Sequence, residues 1–471
     1  MNLTFQELIV RLSALERRVE ELERENAVLK KENVILKLEN KALREENDRL
    51  RERLGLNSRN SSLPPSRDLY KNKKKQHKGS GRKAGGQPGH VGKRREELPA
   101  DEEISIHPAA KCNCGGDIIL EENPYRHQKL ELPVIKPRVT NYYLYHGRCR
   151  CCKKRHSARL PEGVSKDLLG PRAKTVVTAL TGFFKNSKRE AQSIIQEVLG
   201  LKISLGTVSN TEHRVSLKCA KSYEELHQKI QSTDLLHIDE TGHRLQGKRG
   251  WAWVFANSKA TLIKLTQSRG AKVLEEMLPG YAGRVVSDRY SSYSYFSAEK
   301  RQVCWSHLLR DFERFAQSRD PDLSIIGEEL YRIGREVLSL HRSWREQRID
   351  QLYFLRRCRT LRKKLFYWLK KPYGLPGLEQ AKRVSRNILK TEKMMWFFLE
   401  DVLHISPTNN LAERQIRKYV IYRKTSYFAW SERGERYIER MLSLFLTYQK
   451  DNPFQKLLQI LTPAPALIPL A

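Results

Sequence analysis

The N-terminal segment carries a leucine at every seventh position, which is the spacing of a coiled-coil seam. The leucines are Leu8, Leu15, Leu22, Leu29, Leu36, Leu43 and Leu50. With these residues at heptad position d, successive asparagines occupy position a: Asn26, Asn33, Asn40 and Asn47. Asparagine at position a fixes the register and the number of strands while lowering stability. The pattern therefore predicts a two-stranded coiled coil over residues 1–54.

The charges beside this seam indicate how the two strands run. In a parallel pair, each g residue faces an opposite charge at the following e position, as in Arg11–Glu16 and Glu25–Lys30. An antiparallel pair would instead place Glu25 opposite Glu32, where like charges repel. We therefore expect a parallel homodimer, with a single charged helix as the alternative.

From residue 235 the pattern changes to short apolar runs that predict strands. "LLHIDETGHRLQ", "GWAWVFANS" and "TLIKLTQS" predict an antiparallel meander. The helical "AKVLEEML" follows, then a strand in "GRVVSDRYSSY" and another in "RQVCWSHLLRDF" that runs into a helix. This order is that of the ribonuclease H-like fold, in which the first and fourth strands lie side by side.

Two aspartates stand at the predicted ends of those neighbouring strands, Asp239 and Asp288. Adjacent carboxylates repel each other unless a cation lies between them. Mg²⁺ suits such a site because it takes oxygen ligands and keeps positions open for phosphate oxygens and water. Alternatively, Asp239 is a helix cap, a turn residue or an ion-pair partner of His243 or Arg244, and Asp288 is an N-cap.

A third acid is harder to select from residue chemistry. Eight glutamates lie on predicted helices between residues 310 and 405. The segment 406–434 places Glu413 in the first turns of a helix beside cations with no intervening acid: Arg414, Arg417, Lys418, Arg423 and Lys424. A surface pair between Glu413 and Arg417 would account for the same spacing.

The segment 171–220 predicts helices joined by a turn at Gly200. Short polar residues stand at the start of the second helix: Ser204, Thr207, Ser209 and Asn210. This arrangement is typical of a DNA-binding helix-turn-helix, in which such side chains contact bases or phosphates. Any helical hairpin with a glycine turn has the same pattern.

The charge of the chain favours a polyanionic partner. Its 88 Lys and Arg residues outnumber 54 Asp and Glu residues, for a net charge of +34. Basic side chains concentrate in a Ser-, Gly- and Pro-rich linker, and five of them are candidate phosphate contacts: Lys73, Lys74, Lys75, Arg82 and Lys83. Such a linker binds DNA through counterion release, or it is an inert tether.

Five of the eight cysteines lie within residues 112–152. Cys112-x-Cys114 and Cys149-x-x-Cys152 predict a structural zinc site, although the first spacing is one residue short. His107, Cys151 or His156 could replace a ligand, and a metal-free β module with free thiols is the alternative. The cysteine content and the absence of an 18-residue apolar stretch or signal peptide favour a cytosolic protein, or a nuclear one if it is eukaryotic, that spans no membrane. Together with the family resemblance described below, they lead us to expect a bacterial cytoplasmic, nucleoid-associated protein.

Several motifs together resemble those of the insertion-sequence 66 family of transposases. They are "NSSLPPS", "GRKAGGQPGH", "SLGTVSN", "HIDETGHRLQGKRGWAWVFA", "VVSDRYSSY", "CWSHLLRDF" and "NNLAERQIRKYVIYRKTSYFAWSERG". The resemblance covers nearly the whole chain. It differs from the family pattern at Arg289, where a glycine is expected, in "YRKTSYFAWS" and in the shortened Cys112-x-Cys114.

The resemblance implies an Asp-Asp-Glu triad of Asp239, Asp288 and Glu413 that holds Mg²⁺ or Mn²⁺, with two ions in each site. It also implies binding of terminal inverted repeats, strand cleavage and strand transfer into target double-stranded DNA, with accessory proteins of the same element as partners. Cys304 and His307 would support the site, or simply pack there. Arg417, Arg423 and Lys424 would hold the transferred strand, or form a solvated helix face.

The predicted fold is thus multidomain and mixed α and β. Its parts are a coiled coil (1–54), a basic linker (55–100), a zinc-knuckle-like module (101–165), a helix-turn-helix region (166–225), a ribonuclease H-like catalytic domain (230–308 and 405–450), a helical insertion (309–404) and a C-terminal tail (451–471). Two alternative functions fit part of the sequence: a zipper-dimerised DNA-binding regulator and a structure-selective nuclease.

Overall fold

The computed structural model describes residues 5–55, 91–92 and 97–462. The five predicted phosphate contacts of the linker lie outside the described residues. The first elements are α1 (Phe5–Gly55), β1 (His146–Arg148), β2 (Arg155–Ser157), α2 (Pro171–Thr178) with a following π-helical turn (Ala179–Phe183), α3 (Lys188–Glu197), α4 (Leu205–Lys218) and α5 (Ala220–Gln231).

The remaining elements alternate between a sheet and long helices. They are β3 (Leu235–Leu245), β4 (Lys248–Ala256), β5 (Thr261–Thr266), α6 (Lys272–Met277), β6 (Arg284–Ser287), β7 (Arg301–Val303), α7 (Trp305–Ala316), α8 (Pro321–Arg345), α9 (Gln351–Lys370), α10 (Glu379–Leu389), α11 (Glu392–Met395), α12 (Asn410–Ser426), α13 (Glu432–Thr447) and α14 (Pro453–Leu461). The prediction of a mixed α and β fold is confirmed.

The chain divides into two compact units. The sheet unit comprises Met1–Lys71 and Ser222–Val420, and the helical unit comprises Asn72–Lys221 and Ile421–Ala471. In the described part of the chain, no helix has the length and apolar composition that a membrane span requires.

The five-stranded sheet has the order β5-β4-β3-β6-β7. β3, β4 and β5 are antiparallel neighbours, whereas β6 runs parallel to β3, and β7 runs parallel to β6. The first and fourth strands of this sheet, β3 and β6, therefore lie side by side as predicted. Their pairing covers Leu235–His237 of β3 and Arg284–Val286 of β6.

One detail of that prediction is wrong: β3 does not end at Asp239 but continues to Leu245. The strand continues because its second half pairs with β4 through a tight turn at Gln246 and Gly247, which both have positive φ angles. Two central residues in this conformation match the twist of the strands in a hairpin. Asp239 consequently lies within a strand, two residues beyond the last pair that β3 forms with β6.

Two apolar cores flank the sheet unit's strands. One combines Leu236 and Ile238 of β3 with Leu226 of α5 and Leu274 of α6. The other joins β6 and β7 to the helical insertion, which α7 to α11 form. In the insertion, α8 approaches α7 so closely that a Cβ atom on Gly327 would lie 2.0 Å from the backbone nitrogen of Ala316. Glycine is therefore required at that crossing.

The last two helices of the described chain lie in a different unit from the one that the sequence predicts. The sequence predicts that residues up to 450 belong to the catalytic domain and that residues 451–471 form a tail. Instead, α13 and α14 pack into the helical unit, because Met441, Phe445 and Leu457 share a core with Val215 of α4. An amphipathic helix is stabilised by the apolar surface that it buries, and these helices bury theirs there.

The N-terminal helix α1 has an exposed apolar seam. Its heptad leucines from Leu15 to Leu43 are exposed, with 48 to 63% of their surface accessible in the single chain. A helix whose regular apolar seam is exposed is what a coiled-coil strand looks like without its partner. The parallel homodimer itself stays a prediction.

Candidate active site

Alternation along β3 sends its polar residues to opposite faces of the sheet. Leu236, Ile238 and Glu240 share one face, which is the apolar face that packs on α5 and α6. His237 and Asp239 lie on the other. Asp288 follows the neighbouring strand β6 directly, and its Oδ1 accepts a hydrogen bond from the Tyr290 backbone N–H at 2.8 Å. The two aspartates thus come from adjacent strands.

Asn409 brings the start of α12 to this edge of the sheet. The residue is fully buried, and its Nδ2 donates to the Ile238 carbonyl of β3 at 2.7 Å, while Oδ1 lies 3.1 Å from Nδ1 of His237. Its backbone N–H donates to Sγ of Cys304 at 3.2 Å, immediately after β7. The backbone N–H of Glu413 in turn donates to the Asn409 carbonyl. Glu413 is therefore held one helical turn beyond this anchor.

Electrostatics show that the three acids are neighbours. Burial raises the pKa of Asp239 well above its ordinary value, and the carboxylates of Glu240, Asp288 and Glu413 raise it further. The Glu240 backbone N–H opposes this by donating to Oδ1 of Asp239 at 3.0 Å. Repulsion of this kind favours either protonation or a bound cation.

The carboxylates of Asp239, Asp288 and Glu413 are suitable ligands for a divalent cation. Among the described residues, no lysine or arginine forms an ion pair with Asp239, Asp288 or Glu413. The positive charges of Arg269 and Arg301 nevertheless act on Asp288, and Arg301 Nη2 donates to its backbone carbonyl. Carboxylate oxygens are the ligands that Mg²⁺ and Mn²⁺ prefer. The three carboxylates do not form one group with all ligand atoms within 4.8 Å of one another.

Glu413 has two close polar neighbours. Sγ of Cys304 lies 3.8 Å and Nδ1 of His307 lies 3.7 Å from its Oε1 atom, and one donor atom from each residue lies within 4.8 Å of the others. Burial raises the pKa of Cys304 to about 11, which keeps the thiol protonated. Burial and Arg310 lower the pKa of His307, against the opposing effect of Asp288 and Glu413.

A further carboxylate, Glu240, was missed as a site residue. Its side chain is buried, receives hydrogen bonds from Arg269 Nε at 2.9 Å and Nη2 at 2.5 Å, and also binds the hydroxyl of Tyr293. Arg269 stacks on Tyr290, with 3.5 Å between the guanidinium carbon and the ring centroid. Since Tyr290 binds Asp288, this network links both aspartates. The acid pair in "IDE" and the aromatic "DRYSSY" were the only sequence indications.

Arg289, which stands where a glycine was expected, forms an ion pair with Asp311 of α7. Its side chain therefore points towards the insertion and forms no ion pair with Asp288.

The alternative surface pair between Glu413 and Arg417 is absent among the ion pairs of the described residues, and Arg417 is exposed. Lys424 is also exposed, and the Arg423 guanidinium lies 5.8 Å from the Phe428 ring centroid.

The helix-turn-helix region contains the two predicted helices, α3 and α4. Ser204 is the N-cap of α4 and accepts a hydrogen bond from the Thr207 backbone, and the two hydroxyls lie 3.0 Å apart. Both side chains are thus engaged in capping, whereas Asn210 is exposed on the same helix. Asn210 is the best placed of the three to contact DNA, and base contact stays a prediction.

The structural zinc site of the cysteine module stays a prediction. Hydrogen bonds with Cys114 lower the pKa of Cys112, and hydrogen bonds with Cys152 and Cys151 lower that of Cys149. In the part of the chain that the structure describes, no three donors gather at these cysteines within 4.8 Å. In this module β1 and β2 form a hairpin of three residues per strand, and most of the remaining residues are irregular and exposed.

The chain matches two protein-family models. The model "Transposase IS66 family" matches residues 187–437, which is more than half of the chain and includes all three acids. A "Family of unknown function (DUF6444)" matches residues 10–96.

Two curated proteins of Sinorhizobium fredii (strain NBRC 101917 / NGR234) are also similar. "Uncharacterized protein y4qI" is 25% identical over 240 residues, which cover 45% of this chain and 43% of that protein. "Uncharacterized protein y4hP" is 22% identical over 402 residues, which cover 75% of this chain and 70% of that protein. The chain thus matches less than half the length of the first relative.

Proposed function

This chain belongs to the transposase IS66 family, and we propose on that premise that it cleaves and joins DNA at a metal site formed by Asp239, Asp288 and Glu413. The observation that carries the proposal is the raised pKa of Asp239, to which both other acids contribute. Three carboxylates far apart in the sequence would not affect one another unless the fold held them together.

The sheet supports a ribonuclease H-like assignment for the domain that carries these acids. Its order places β3 beside β6, so that the strand with Asp239 neighbours the strand that Asp288 follows. The insertion α7–α11 separates β7 from α12, which carries Glu413. The family resemblance implies this same interruption before the glutamate.

The chain's own residues would orient the acids. The Glu240 and Tyr290 backbone N–H groups hold one oxygen of Asp239 and of Asp288, which leaves the other oxygen for a cation. Cys304 and His307 lie beside Glu413 and would restrict its rotamers. When bound, Mg²⁺ or Mn²⁺ would activate the attacking oxygen and stabilise the leaving oxygen of a phosphodiester.

Residues outside the metal site would bind DNA as well. We propose that the basic linker, Asn210 of α4 and the cations of α12 contact the terminal inverted repeats or the target duplex. Dimerisation through α1 would bring two element ends together, with accessory proteins of the element as further partners. The cytoplasm, close to the nucleoid, is the compartment where these substrates occur.

The test is cleavage of a labelled duplex that carries an end of the element, with Mg²⁺ and then with target DNA. Asp239→Asn, Asp288→Asn and Glu413→Gln should each lower the cleavage rate by about a thousandfold or more, while the affinity for DNA persists. Glu276→Gln, which changes an exposed acid of α6 in the same way, should retain full activity.

A second measurement, the thermal midpoint with and without the metal ion, tests metal binding independently of catalysis. Mg²⁺ or Mn²⁺ should raise the thermal midpoint of the wild type, because a ligand that binds only the folded state stabilises it. The three variants should lose this increase. Full cleavage by any one variant would remove that residue from the site, and cleavage without joining to target DNA would favour a nuclease. Absence of cleavage with intact DNA binding would favour a regulator.

A further inference from the structure

Helix α9 of the insertion is rich in basic residues and contains no acid. From Gln351 to Tyr373 the chain contains eight Lys and Arg residues and no Asp or Glu. The buried face of α9 is apolar and repeats at helical spacing: Phe354, Cys358, Leu361, Leu365 and Leu369. The core of the insertion therefore fixes which side of α9 faces outwards.

The outward side forms a continuous stripe. Arg356, Arg359, Lys363 and Lys370 are exposed and follow one another at intervals of three, four and seven residues, which places them on one helix face. At 1.5 Å per residue the stripe is about 21 Å long. We call these four residues together with Lys371 the α9 stripe.

Two exposed aromatic rings hold the lysines at the end of the α9 stripe. Nζ of Lys370 lies 4.3 Å from the centroid of the Phe366 ring, and Nζ of Lys371 lies 4.6 Å from that of Tyr367. An open groove of about 480 Å³ is lined by Lys363, Phe366, Tyr367, Lys370, Lys371 and Gly374. A ring carries no net charge, so it positions an ammonium group without neutralising it.

The other two arginines of α9 differ from the residues of the α9 stripe, because each forms an ion pair with a carboxylate. Arg357 forms an ion pair with Glu336 of α8, and Arg362 forms one with Glu392 of α11. Among the described residues, none of the α9 stripe forms an ion pair with a carboxylate. The insertion thus neutralises the cations that face its own helices and leaves those of the stripe charged.

The simplest alternative is that the stripe is merely a solvated helix face. Such faces commonly alternate positive and negative charges, since like charges one turn apart destabilise a helix by a few tenths of a kcal/mol each. The stripe has no acid among its cations, and its apolar rings are exposed beside them. Both features suit a surface that a polyanion covers.

We propose that the α9 stripe is a further DNA-binding surface, which contacts the phosphate backbone of a duplex without reading its sequence. The ammonium groups over the rings would bind phosphates, and the exposed edges of Phe366 and Tyr367 would contact the adjacent sugars. The inference relies on the proposed function for the choice of DNA as the polyanion. It does not depend on the active site.

The test measures the salt dependence of binding by the full chain to a labelled duplex three helical turns long, in EDTA so that no cleavage occurs. In the variant Lys363→Ala/Lys370→Ala/Lys371→Ala, the slope of log K against log salt should fall by about 2 to 3, because each phosphate contact contributes about 0.9. The affinity at low salt should fall at least tenfold.

Two control variants test whether the change in slope comes from the charges of the α9 stripe. Arg335→Ala/Arg342→Ala/Arg383→Ala removes three exposed cations of the same insertion outside α9 and should change the slope by less than about 1. Replacing the same three lysines by arginine should restore the slope, since charge is retained. An unchanged slope in the alanine variant, with wild-type thermal midpoint, would overturn the proposal and would favour an acidic protein as the occupant. Loss of cleavage in Asp239→Asn would not affect this result.

Discussion

At the scale of single residues, Asn409 joins segments that are far apart in the chain. It binds Ile238 and His237 of β3 on one side and Cys304 after β7 on the other. Burial lowers the pKa of His237 to about 4, so its imidazole is neutral and suits a hydrogen bond with the amide. The position of Glu413 depends on this one buried side chain.

Asn409→Ala should lower the free energy of unfolding by about 2 to 4 kcal/mol, because it leaves the Ile238 carbonyl and the His237 imidazole buried without a partner. Cleavage should fall by about a hundredfold, since Glu413 loses its anchor. Thermal unfolding and the duplex cleavage assay measure the two effects.

The neighbouring Asn410 is a matched control, because it is exposed at the start of α12. Asn410→Ala should stay within about 0.5 kcal/mol of the wild type and should cleave normally. Equal stability of both alanine variants would mean that the buried amide does not hold the site together.

At the scale of elements, the helical insertion encloses a histidine among aromatic rings. The centroids of Trp344, Phe354 and Phe398 lie 5.9, 6.2 and 6.1 Å from that of His341. Burial, together with a smaller effect of Arg345, lowers the pKa of His341 to about 4. Because the folded pKa lies below the unfolded value, stability is fully present above about pH 6.5 and is lost as the pH falls through about 4.

His341→Phe should therefore remove part of the acid sensitivity of the insertion. The loss assigned to His341 is at most about 3 kcal/mol, and less in practice because the ring is only partly buried. Thermal midpoints at about pH 7 and about pH 4.5 should differ by several degrees less in the variant than in the wild type. His107→Gln, at an exposed histidine, should leave the wild-type difference unchanged, and an equal change in both variants would contradict the assignment.

At the scale of the whole molecule, the exposed seam of α1 is the surface through which we expect two chains to assemble. Leu29 and Leu36 occupy position d of the heptad and are 60% and 54% exposed in the single chain. Burying such leucines against a second helix contributes roughly 1.5 to 3 kcal/mol per side chain. Charged residues at f positions, such as Arg24 and Lys31, would remain in solvent.

Leu29→Glu/Leu36→Glu should therefore yield monomers in sedimentation experiments, as should deletion of residues 1–54. Arg24→Glu/Lys31→Glu changes two f positions of the same helix and should remain dimeric. If the leucine variant sedimented as a dimer, the association would have to come from another surface.

Periodicity made much of the architecture predictable. The seven-residue repeat indicated α1, the apolar runs indicated the strands of the sheet, and Gly200 marked the turn between α3 and α4, where φ is +64°. Strand order then placed Asp239 near Asp288. Glu413 needed the family resemblance, because nothing in its local spacing distinguishes it from other helical glutamates.

The properties that can be read from the amino-acid order are therefore local: which residues form helices and strands, and which faces of them are apolar, since burial requires a fixed period. Which distant groups meet depends on the packed fold. Packing extended β3 past Asp239, paired Glu240 with Arg269, and fixed Asn409 one helical turn before Glu413. It also assigned α13 and α14 to the helical unit, and it did not bring the four cysteines into one group of ligand atoms. Such contacts join residues as far apart in the chain as His237 and Asn409, which are 172 positions apart, and farther. They depend on how all intervening elements pack rather than on any local pattern.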